Sequence, residues 1–402
     1  MENHKNTYVA KTFAGLEPVL SKELKELGAS DVQVLRRAVS FSGDLQMLYR
    51  MNIWCRTAIS ILKGVGSFTF DSKDAYYEQM RQIPWHELFQ SGKTISVHAT
   101  AFNSPVFNNT LFLAQLSKDA IVDLFSEKTG NRPDVDTANA QVRIIVNVFE
   151  SKVMVSLDSS GDPLFKRGYR KAAGPAPINE VLAAGLIQLM DWDMTSDFLD
   201  PMCGSGTFSI EAAMMSARMA PGASRKSYGF SHWTEFDEPL FLQEIEEAKS
   251  KQQPLKARIM ASDLTGYMLD ITRQNVMQAG LLGSIRIQKN DFFSYHPPGD
   301  RGWIILNPPY GHRIKHEDLQ ALHKQIGDTL KQRFSGYRAA IISSDLKAIR
   351  FTGLRPDRKT EVYNGPLKCS FNVYDLFSGK RSDFVRERKT RDRTDKRKRI
   401  NP

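Results

Sequence analysis

The sequence predicts an α/β protein in which a smaller α+β part precedes a doubly wound, largely parallel sheet. Two observations lead to this prediction. A short apolar run, Phe198 and Leu199, ends in Asp200 and leads directly into a Gly-x-Gly turn and an apolar segment with helical spacing. From there on, apolar runs of strand length alternate with helical segments, and an Asn-Pro-Pro-Tyr run at residues 307–310 follows the fourth strand. Sheets of this kind bind ligands at the carboxyl ends of their strands.

Composition limits the class of protein. With 402 residues the chain is long enough for two or three domains, and 41% apolar residues allow ordinary packed cores. No apolar run approaches the roughly 18–20 residues that cross a bilayer, and the first residues lack the apolar stretch of a secretory signal. The three cysteines are isolated, without CxxC spacing or paired histidines. We therefore expect a cytoplasmic protein with no membrane partner, no disulfide and no metal.

The positive charge is concentrated at one end of the chain. Residues 379–402 hold 11 Lys or Arg and 4 Asp or Glu, so they supply +7 of the net charge of +10. This segment is almost free of apolar residues and cannot bury a core, which predicts a disordered basic tail. A solvated tail is the simplest interpretation. A basic arm also suits a polyanion, and RNA or DNA is the first candidate.

The first 160 residues alternate between strand and helix patterns. Residues 8–12 predict a strand, 15–27 a helix and 32–41 a hairpin. A second cycle follows, with a helix from Asp71, a strand at 94–101, a helix at 110–125 and a hairpin at 142–157. The acids, histidines and serines of this part are scattered. We interpret it as an α+β binding module without catalytic residues.

A connector joins this part to the second. Residues 164–171 place basic side chains beside aromatic ones, and Lys166, Arg167, Tyr169 and Arg170 are candidates for binding an RNA backbone or a stacked base. A solvated turn explains the same residues equally well. Residues 172–177, rich in Ala, Gly and Pro, resemble a hinge, and a helix is expected at 179–190.

The second part predicts a single sheet. Strands are expected from Phe198 and at 259–263, 285–288, 303–306 and 339–343, with an antiparallel closing pair at 360–363 and 372–377. A long insertion at 220–251 interleaves basic and aromatic residues. Because the marked motifs all follow strands, they are expected to converge at one edge of the sheet.

The acidic residues at these strand ends suit a nucleoside. Gly204 and Gly206 let a ligand approach the backbone, and Asp263 can accept hydrogen bonds from ribose hydroxyls. Asp291 can take the amino group of an adenine, with Phe292 against its ring. Asp200 is close enough to the loop to meet a ligand ammonium group. Each acid alone is more often a turn or capping residue, but two in register with a glycine loop favour a nucleoside site.

The Asn-Pro-Pro-Tyr run is the more specific signal. Methyl transfer to an exocyclic amine is hindered because the nitrogen lone pair is conjugated into the base. The Asn307 amide oxygen and the Pro308 carbonyl can accept both N–H groups and expose the lone pair, with the prolines holding these acceptors in place. Tyr310 offers a face for a base extruded from its stack. A Pro-Pro turn after a strand explains the local sequence equally well, but not its position in this sheet.

Together these motifs resemble a known family. Residues 200–207 and 307–311 look like the donor-binding and catalytic motifs of class I S-adenosylmethionine-dependent methyltransferases that act on exocyclic amines. Residues 167–180, the opening helix, the Ser-Gly-Asp turn at 42–44 and the insertion resemble THUMP-domain RNA methyltransferases. The most similar group is the RlmL-like guanine-N2 methyltransferases of 23S ribosomal RNA. The resemblance covers the chain except for the basic tail.

The resemblance implies a domain plan and roles for individual residues. Residues 1–55 would be a ferredoxin-like part, 56–160 a THUMP domain that binds RNA, and 161–378 a Rossmann-like methyltransferase domain before the tail at 379–402. S-adenosylmethionine would be the cofactor, and ribosomal RNA or a pre-ribosomal particle the partner. The residues implied to bind the donor are Asn179, Asp200, Gly204, Gly206, Thr207, Asp263, Asp291 and Phe292; those implied to hold the target guanine are Asn307, Pro308 and Tyr310.

Other functions fit part of the pattern. A tRNA guanosine-N2 methyltransferase of the same family shares these motifs. A DNA adenine-N6 methyltransferase shares the Asn-Pro-Pro-Tyr run but not the N-terminal half. A non-catalytic RNA-binding or ribosome assembly factor would have no physical need for Asn307.

Overall fold

The computed structural model describes residues 6–172, 174, 177–309 and 316–379. The helices are α1 (Glu17–Glu26), α2 (Leu45–Trp54), α3 (Lys73–Arg81), α4 (Trp85–Leu88), α5 (Thr110–Thr129), α6 (Glu180–Leu189), α7 (Thr207–Ser216), α8 (Glu238–Ser250), α9 (Gly266–Gln278) and α10 (His316–Arg333). The strands are β1 (Asn6–Lys11), β2 (Ser30–Leu35), β3 (Ala38–Gly43), β4 (Ser60–Thr69), β5 (Ile95–Phe102), β6 (Val142–Phe149), β7 (Lys152–Asp158), β8 (Phe198–Asp200), β9 (Ile259–Asp263), β10 (Ile285–Lys289), β11 (Gly302–Leu306), β12 (Tyr337–Ser343), β13 (Arg358–Asn364) and β14 (Leu367–Asp375).

The chain forms two compact units, and neither is continuous in sequence. The first contains Met1–Gly168, Glu180–Gly185 and Arg218–Gln253, and the second contains Tyr169–Asn179, Leu186–Ala217 and Pro254–Pro402. The long insertion after α7 is thus part of the first unit. Each unit has its own seven-stranded sheet.

The sheet of the first unit has the strand order β2-β3-β1-β4-β7-β6-β5. Its pairs are antiparallel except for β5 and β6, which are parallel. Apolar residues alternate along β6 and β7, and the buried ones face a core that also contains Tyr76 of α3 and Phe125 of α5. One face of this part of the sheet is therefore covered by helices, as the period-two pattern predicts.

The insertion completes the core of the first unit. Tyr228 and Phe230 stack with ring centroids 4.8 Å apart, and Phe230 lies 4.6 Å from Tyr49 of α2. On α8, the carboxylate of Glu244 is almost fully buried and accepts hydrogen bonds from Arg50 at 2.9 and 3.1 Å. Arg225 donates to four backbone carbonyl oxygens of residues 160–166. Arg225, Tyr228 and Phe230, among the interleaved basic and aromatic residues of this segment, therefore have structural contacts.

The sheet of the second unit has the strand order β10-β9-β8-β11-β12-β14-β13. The first five strands are parallel, and β14 runs antiparallel between β12 and β13. β8 lies in the middle, so its carboxyl end and that of β11 are neighbours. The order reverses there, which is the place where open α/β sheets bind ligands.

The fold class predicted from the sequence is confirmed, with a mixed α+β unit and a doubly wound sheet closed by an antiparallel strand. Predicted elements differ from the observed ones mainly at their ends. The helix expected from Asp71 begins at Lys73, because the Ser72 hydroxyl caps it by accepting from the Ala75 amide. In the described residues no helix is both long and apolar enough to span a membrane. The basic tail lies outside the described residues.

Candidate active site

The loop between β8 and α7 is held by its glycines and by α9. Gly204 and Gly206 both have positive φ angles, +55° and +80°. A Cβ at Gly206 would lie 2.8 Å from the Cγ2 atom of Thr272, so this position accepts no larger residue without movement. Thr272 also donates a hydrogen bond of 2.7 Å to the Gly204 carbonyl. The loop is therefore preorganised, with α7 beginning directly behind it.

Two polar side chains, the half-buried Arg170 and the buried Asn275, tie the preceding segment to this loop. Arg170 donates to the hydroxyls of Ser205 and Thr207, at 3.2 and 3.0 Å, and to the Ile178 carbonyl at 3.0 Å. Asn275 of α9 donates to the carbonyls of Ala172 and Ser205, both at 3.0 Å. Ala172, at the start of the stretch expected to be a hinge, is thus tied through Asn275 to the glycine loop.

A cavity of about 690 Å³ opens at the carboxyl ends of the strands. This volume suits a ligand of nucleoside size. Its wall is mostly apolar and comes from every loop that follows β8, β9, β10 and β11, from the segment before α6, from α10 and from the start of β14. The lining residues used below are Pro177, Ile178, Met202, Cys203, Gly204, Ser205, Thr207, Asp263, Leu264, Met268, Asp291, Phe292, Asn307, Pro308, Leu322 and Leu367.

Asp263 and Asp291 stand at neighbouring strand ends on this cavity. Asp263 Oδ2 accepts from the Gly204 amide at 3.1 Å, and Oδ1 accepts from the Thr265 amide at 3.1 Å. Asp291 is exposed and accepts from the Phe293 amide at 3.0 Å. Phe292 is 3% exposed and packs against Phe334 in the core. Both carboxylates are oriented by backbone amides and retain lone pairs for a ligand.

Asp200 occupies a different place from the one expected. It is fully buried and is not among the residues that line the cavity. Its Oδ2 atom accepts from the Ser209 hydroxyl at 2.9 Å, and within the described residues Oδ1 has no hydrogen-bond partner. Burial, together with the nearby Asp263 charge, raises the pKa of Asp200 to about 7. The expected contact with a ligand ammonium group is therefore not present; the carboxyl group lies behind the loop.

Asn307 and Pro308 lie at the end of β11 and line the cavity. The Oδ1 atom of Asn307 is buried, and no described residue donates a hydrogen bond to it. A buried amide oxygen without a donor costs free energy unless a ligand supplies one. Tyr310 lies outside the described residues, so its expected stacking role stays a prediction.

Cys203, in the glycine loop, is 8% exposed and not paired with another cysteine. Burial raises the pKa of its thiol well above the usual range, and the Asp200 and Asp263 carboxylates raise it further. The thiol is thus kept protonated, which does not suit a nucleophile. In the described part of the chain, no group of three or more His, Cys, Asp or Glu side chains could hold a metal ion.

The residues expected to bind RNA in the connector have mostly structural contacts. Arg167 is 6% exposed and donates to the carbonyls of Leu164 and Arg56. Tyr169 is 3% exposed, and its hydroxyl donates to Glu211 at 3.0 Å. Burial contradicts a direct RNA contact by either side chain. Arg170 is engaged with the glycine loop, and only Lys166 is exposed, beside Asp162.

Asn179, which was expected to bind the donor, is half-buried and is not among the lining residues, whereas its neighbours Pro177 and Ile178 are. Other residues at the site were not predicted. Thr272 and Asn275 hold the loop from α9. The signal for these two was present, because they are polar residues at positions of α9 that the helical period buries. Leu322 and Leu367 approach from distant parts of the chain, and no local pattern marks them.

Comparison with protein families confirms the resemblance found in the sequence. The model of UPF0020, described as the RMKL-like methyltransferase domain, matches residues 167–372. The model of the RlmL ferredoxin-like domain matches residues 7–62, and that of the THUMP domain matches residues 71–158. The exact domain ends predicted from the sequence stay predictions.

Individual proteins are similar over most of this chain. The protein slr0064 of Synechocystis sp., whose name assigns it to the RNA methyltransferases, is 35% identical over 92% of this chain and 97% of its own length. The ribosomal RNA large subunit methyltransferase K/L of Methylococcus capsulatus is 35% identical over 92% of this chain, which spans only 51% of that protein. The structure of SMU.472, solved with bound SAH, superposes with a TM-score of 0.85 at 29% identity, covering 94% of this chain and all of that one.

Proposed function

We propose that this chain, which belongs to the UPF0020 family of RMKL-like methyltransferases, transfers a methyl group from S-adenosylmethionine to the exocyclic N2 amine of a guanosine in 23S ribosomal RNA. The observation that carries the proposal is the buried Asn307 Oδ1 atom, which belongs to a residue lining a nucleoside-sized cavity and has no donor among the described residues. An exocyclic amine has two N–H groups, and one of them could donate a hydrogen bond to this oxygen.

The residues around the glycine loop fit the donor. Gly204 and Ser205 bring backbone close to the cavity, where the methionine part would lie, and Asp263 can accept from the ribose hydroxyls. Asp291 and Phe292 would hold the adenine, with Leu264 and Met268 covering its apolar faces. When bound, the donor supplies an electrophilic methyl group. The SAH bound to SMU.472 supports this cofactor.

The residues at the end of β11 would prepare the acceptor. The Asn307 amide oxygen and the Pro308 carbonyl would each accept one N–H of the guanine amine, drawing its lone pair out of conjugation and toward the methyl group. Both acceptors directly follow a buried strand, and acceptors fixed in this way would need little reorganisation when the base arrives. Neither is a base, and the proton lost from the amine would pass to water. Tyr310 would stack on the extruded base.

The RNA substrate rests on the first unit and on the relatives. The family match includes a THUMP domain, and the names of the Synechocystis and Methylococcus relatives are those of RNA methyltransferases. The choice of 23S ribosomal RNA rests on the name of the Methylococcus protein, of which this chain spans about half. A guanosine of tRNA is the alternative substrate.

Transfer of a labelled methyl group tests the proposal directly. The full chain is incubated with S-adenosylmethionine carrying a labelled methyl group and with ribosomal RNA or tRNA from cells that lack the protein. Nucleosides are then separated after digestion. We expect label in N2-methylguanosine from 23S ribosomal RNA. Label in tRNA alone would show that tRNA is the substrate instead of ribosomal RNA. Label in N6-methyladenosine would show that the methyl acceptor is the amine of an adenine instead of a guanine. Tight binding of SAH with no transfer to any RNA would refute the enzyme assignment.

A further inference from the structure

In the first unit, the end of the sheet formed by the last residues of β5 and β6 and the first residues of β7 carries two exposed aromatic rings on one face. Phe102 at the end of β5 and Phe149 at the end of β6 are 61% and 52% exposed. They are direct partners in the parallel register, and their rings stack with centroids 5.9 Å apart and planes inclined by 14°. Large aromatic side chains are seldom left exposed in contact with each other on a soluble surface without a partner.

The register extends these rings into a row across four strands. Phe149 is paired with Lys152 of β7, and Lys152 is paired with Thr69 of β4. The next row places Thr100 opposite Asn147, whose side chains share a hydrogen bond of 2.9 Å, and Asn147 opposite Met154. All these residues alternate with buried or half-buried ones along their strands, so they lie on the face opposite the helices.

The charges on this face are suited to an anion. Lys152 is exposed at the end of the aromatic row, and His98 lies two residues along β5 from Thr100. In the described structure the exposed residues that β4, β5, β6 and β7 contribute to this face include no Asp or Glu. The first acid beyond the aromatic row is Glu150, in the turn after β6.

We propose that this face, defined by Phe102, Phe149, Lys152 and Met154 and called the aromatic face below, binds unpaired nucleotides of the RNA substrate. Bases would stack on the two phenylalanine rings, and the ammonium group of Lys152 would meet the backbone phosphate. Flat sheets with paired aromatic residues and few acids suit single strands, because every base has a π face and no duplex groove is needed. The inference rests on the proposed RNA substrate and identifies the surface that holds it.

RNA affinity of the full chain tests this assignment. A short labelled single-stranded RNA of mixed sequence is titrated with the wild type, with the double variant Phe102→Leu/Phe149→Leu and with Phe102→Tyr/Phe149→Tyr. Leucine keeps an apolar surface but has no ring, whereas tyrosine keeps the ring. We expect the leucine variant to bind about tenfold or more weakly and the tyrosine variant to stay within about threefold of the wild type. Leu111→Ala, which removes an exposed apolar side chain from α5, is the matched control.

Salt dependence gives a second readout. Lys152→Ala should lower the slope of log affinity against log salt by about 0.7, the value for one phosphate contact on a single strand. Sedimentation of each variant tests whether a second copy of the chain, instead of RNA, covers this face. A second copy could extend the sheet there, since β5 is an edge strand.

The outcomes separate this inference from the proposed function. Equal RNA affinity of the wild type and the leucine variant would overturn the assignment of the aromatic face, even if methyl transfer is observed. A wild-type dimer that the leucine variant abolishes would overturn it in favour of self-association. If the wild type transfers no methyl group to any RNA but binds single strands through these rings, the proposed function is wrong, whereas the assignment of the aromatic face as an RNA-binding surface stands.

Discussion

Arg170 and Thr207 are joined by a hydrogen bond of 3.0 Å, donated by Arg170 Nη2 to the Thr207 hydroxyl at the first residue of α7. The same nitrogen donates to the Ile178 carbonyl, and Nη1 donates to the Ser205 hydroxyl. One side chain thus connects the segment before α6, the glycine loop and the helix behind it. Ile178, Ser205 and Thr207 line the cavity proposed to bind the donor, so Arg170 would act on that cavity through them.

Replacing Arg170 by alanine should therefore weaken donor binding. The variant loses three hydrogen bonds in a half-buried place, and we expect the affinity for SAH to fall by about tenfold, measured by calorimetry. Lys171→Ala is the control, because Lys171 is the exposed neighbour and its side chain is not part of this network. If SAH affinity is unchanged while RNA affinity falls, Arg170 contacts RNA instead.

Asn307→Ala should separate chemistry from donor binding. It removes an amide oxygen that is expected to act on the acceptor, so kcat should fall by about 10²–10³-fold while SAH affinity stays within about threefold. Gln274→Ala, an exposed amide on α9, controls for loss of an amide elsewhere. A large loss of SAH affinity in the Asn307 variant would show that Asn307 binds the donor.

Gly206→Ala tests the close approach between the loop and α9. The new Cβ would lie 2.8 Å from Thr272 Cγ2, in a backbone conformation with φ of +80°. We expect a loss of about 1–3 kcal/mol in the free energy of unfolding, measured by urea denaturation, and weaker SAH binding.

Adding Thr272→Ser to this variant removes the clashing methyl group and keeps the hydroxyl that donates to Gly204. The double variant should recover part of the stability, since the clash is relieved while the backbone strain remains. No recovery at all would mean that the φ angle alone accounts for the loss.

The pH dependence of stability should report the buried Asp200. Its pKa in the folded chain is about 7, above the value of about 3.9 expected for an unfolded aspartate. The folded state therefore holds the proton more tightly, so this contribution to stability is complete below about pH 4 and is lost as the pH rises through about 7.

Asp200→Asn should remove that part of the pH dependence. Without ligand, the Tm of the variant minus the Tm of the wild type should increase from pH 5 to pH 8, because the wild type alone loses stability as Asp200 ionises. Asparagine keeps an oxygen that can accept from Ser209. A difference in Tm that does not change over this range would show that Asp200 is ionised in the folded chain throughout.

Much of this fold could be predicted because its strands are short apolar runs with clear ends. Asp263, Asp291 and Asn307 were predicted to converge, since each follows a parallel strand and such strands end at one edge. Burial was harder to predict. Arg167 and Tyr169 have the composition of an RNA-binding turn, but their partners, the Arg56 carbonyl and Glu211, are distant in sequence.

Burial was equally hard to predict for the insertion and for the aromatic face. Tyr228 and Phe230 look the same in a sequence whether they stack on a base or on each other. The exposure of Phe102 and Phe149 depends on which face of the sheet the helices cover, and alternation alone assigns residues to two faces without saying which is buried.

The insertion also has a consequence for how the protein is made. Residues 218–253 supply part of the first unit's core but are translated after β8 and α7 of the second unit. A ribosome that has released residues 1–168 has thus delivered an α+β unit that still lacks Phe230 and Glu244. A fragment cut at residue 168 should behave as an unfinished domain with exposed apolar surface, and a fragment that begins there should carry an unpaired segment prone to aggregation. Separating the proposed methyl transfer from the proposed RNA binding therefore calls for point variants in the whole chain.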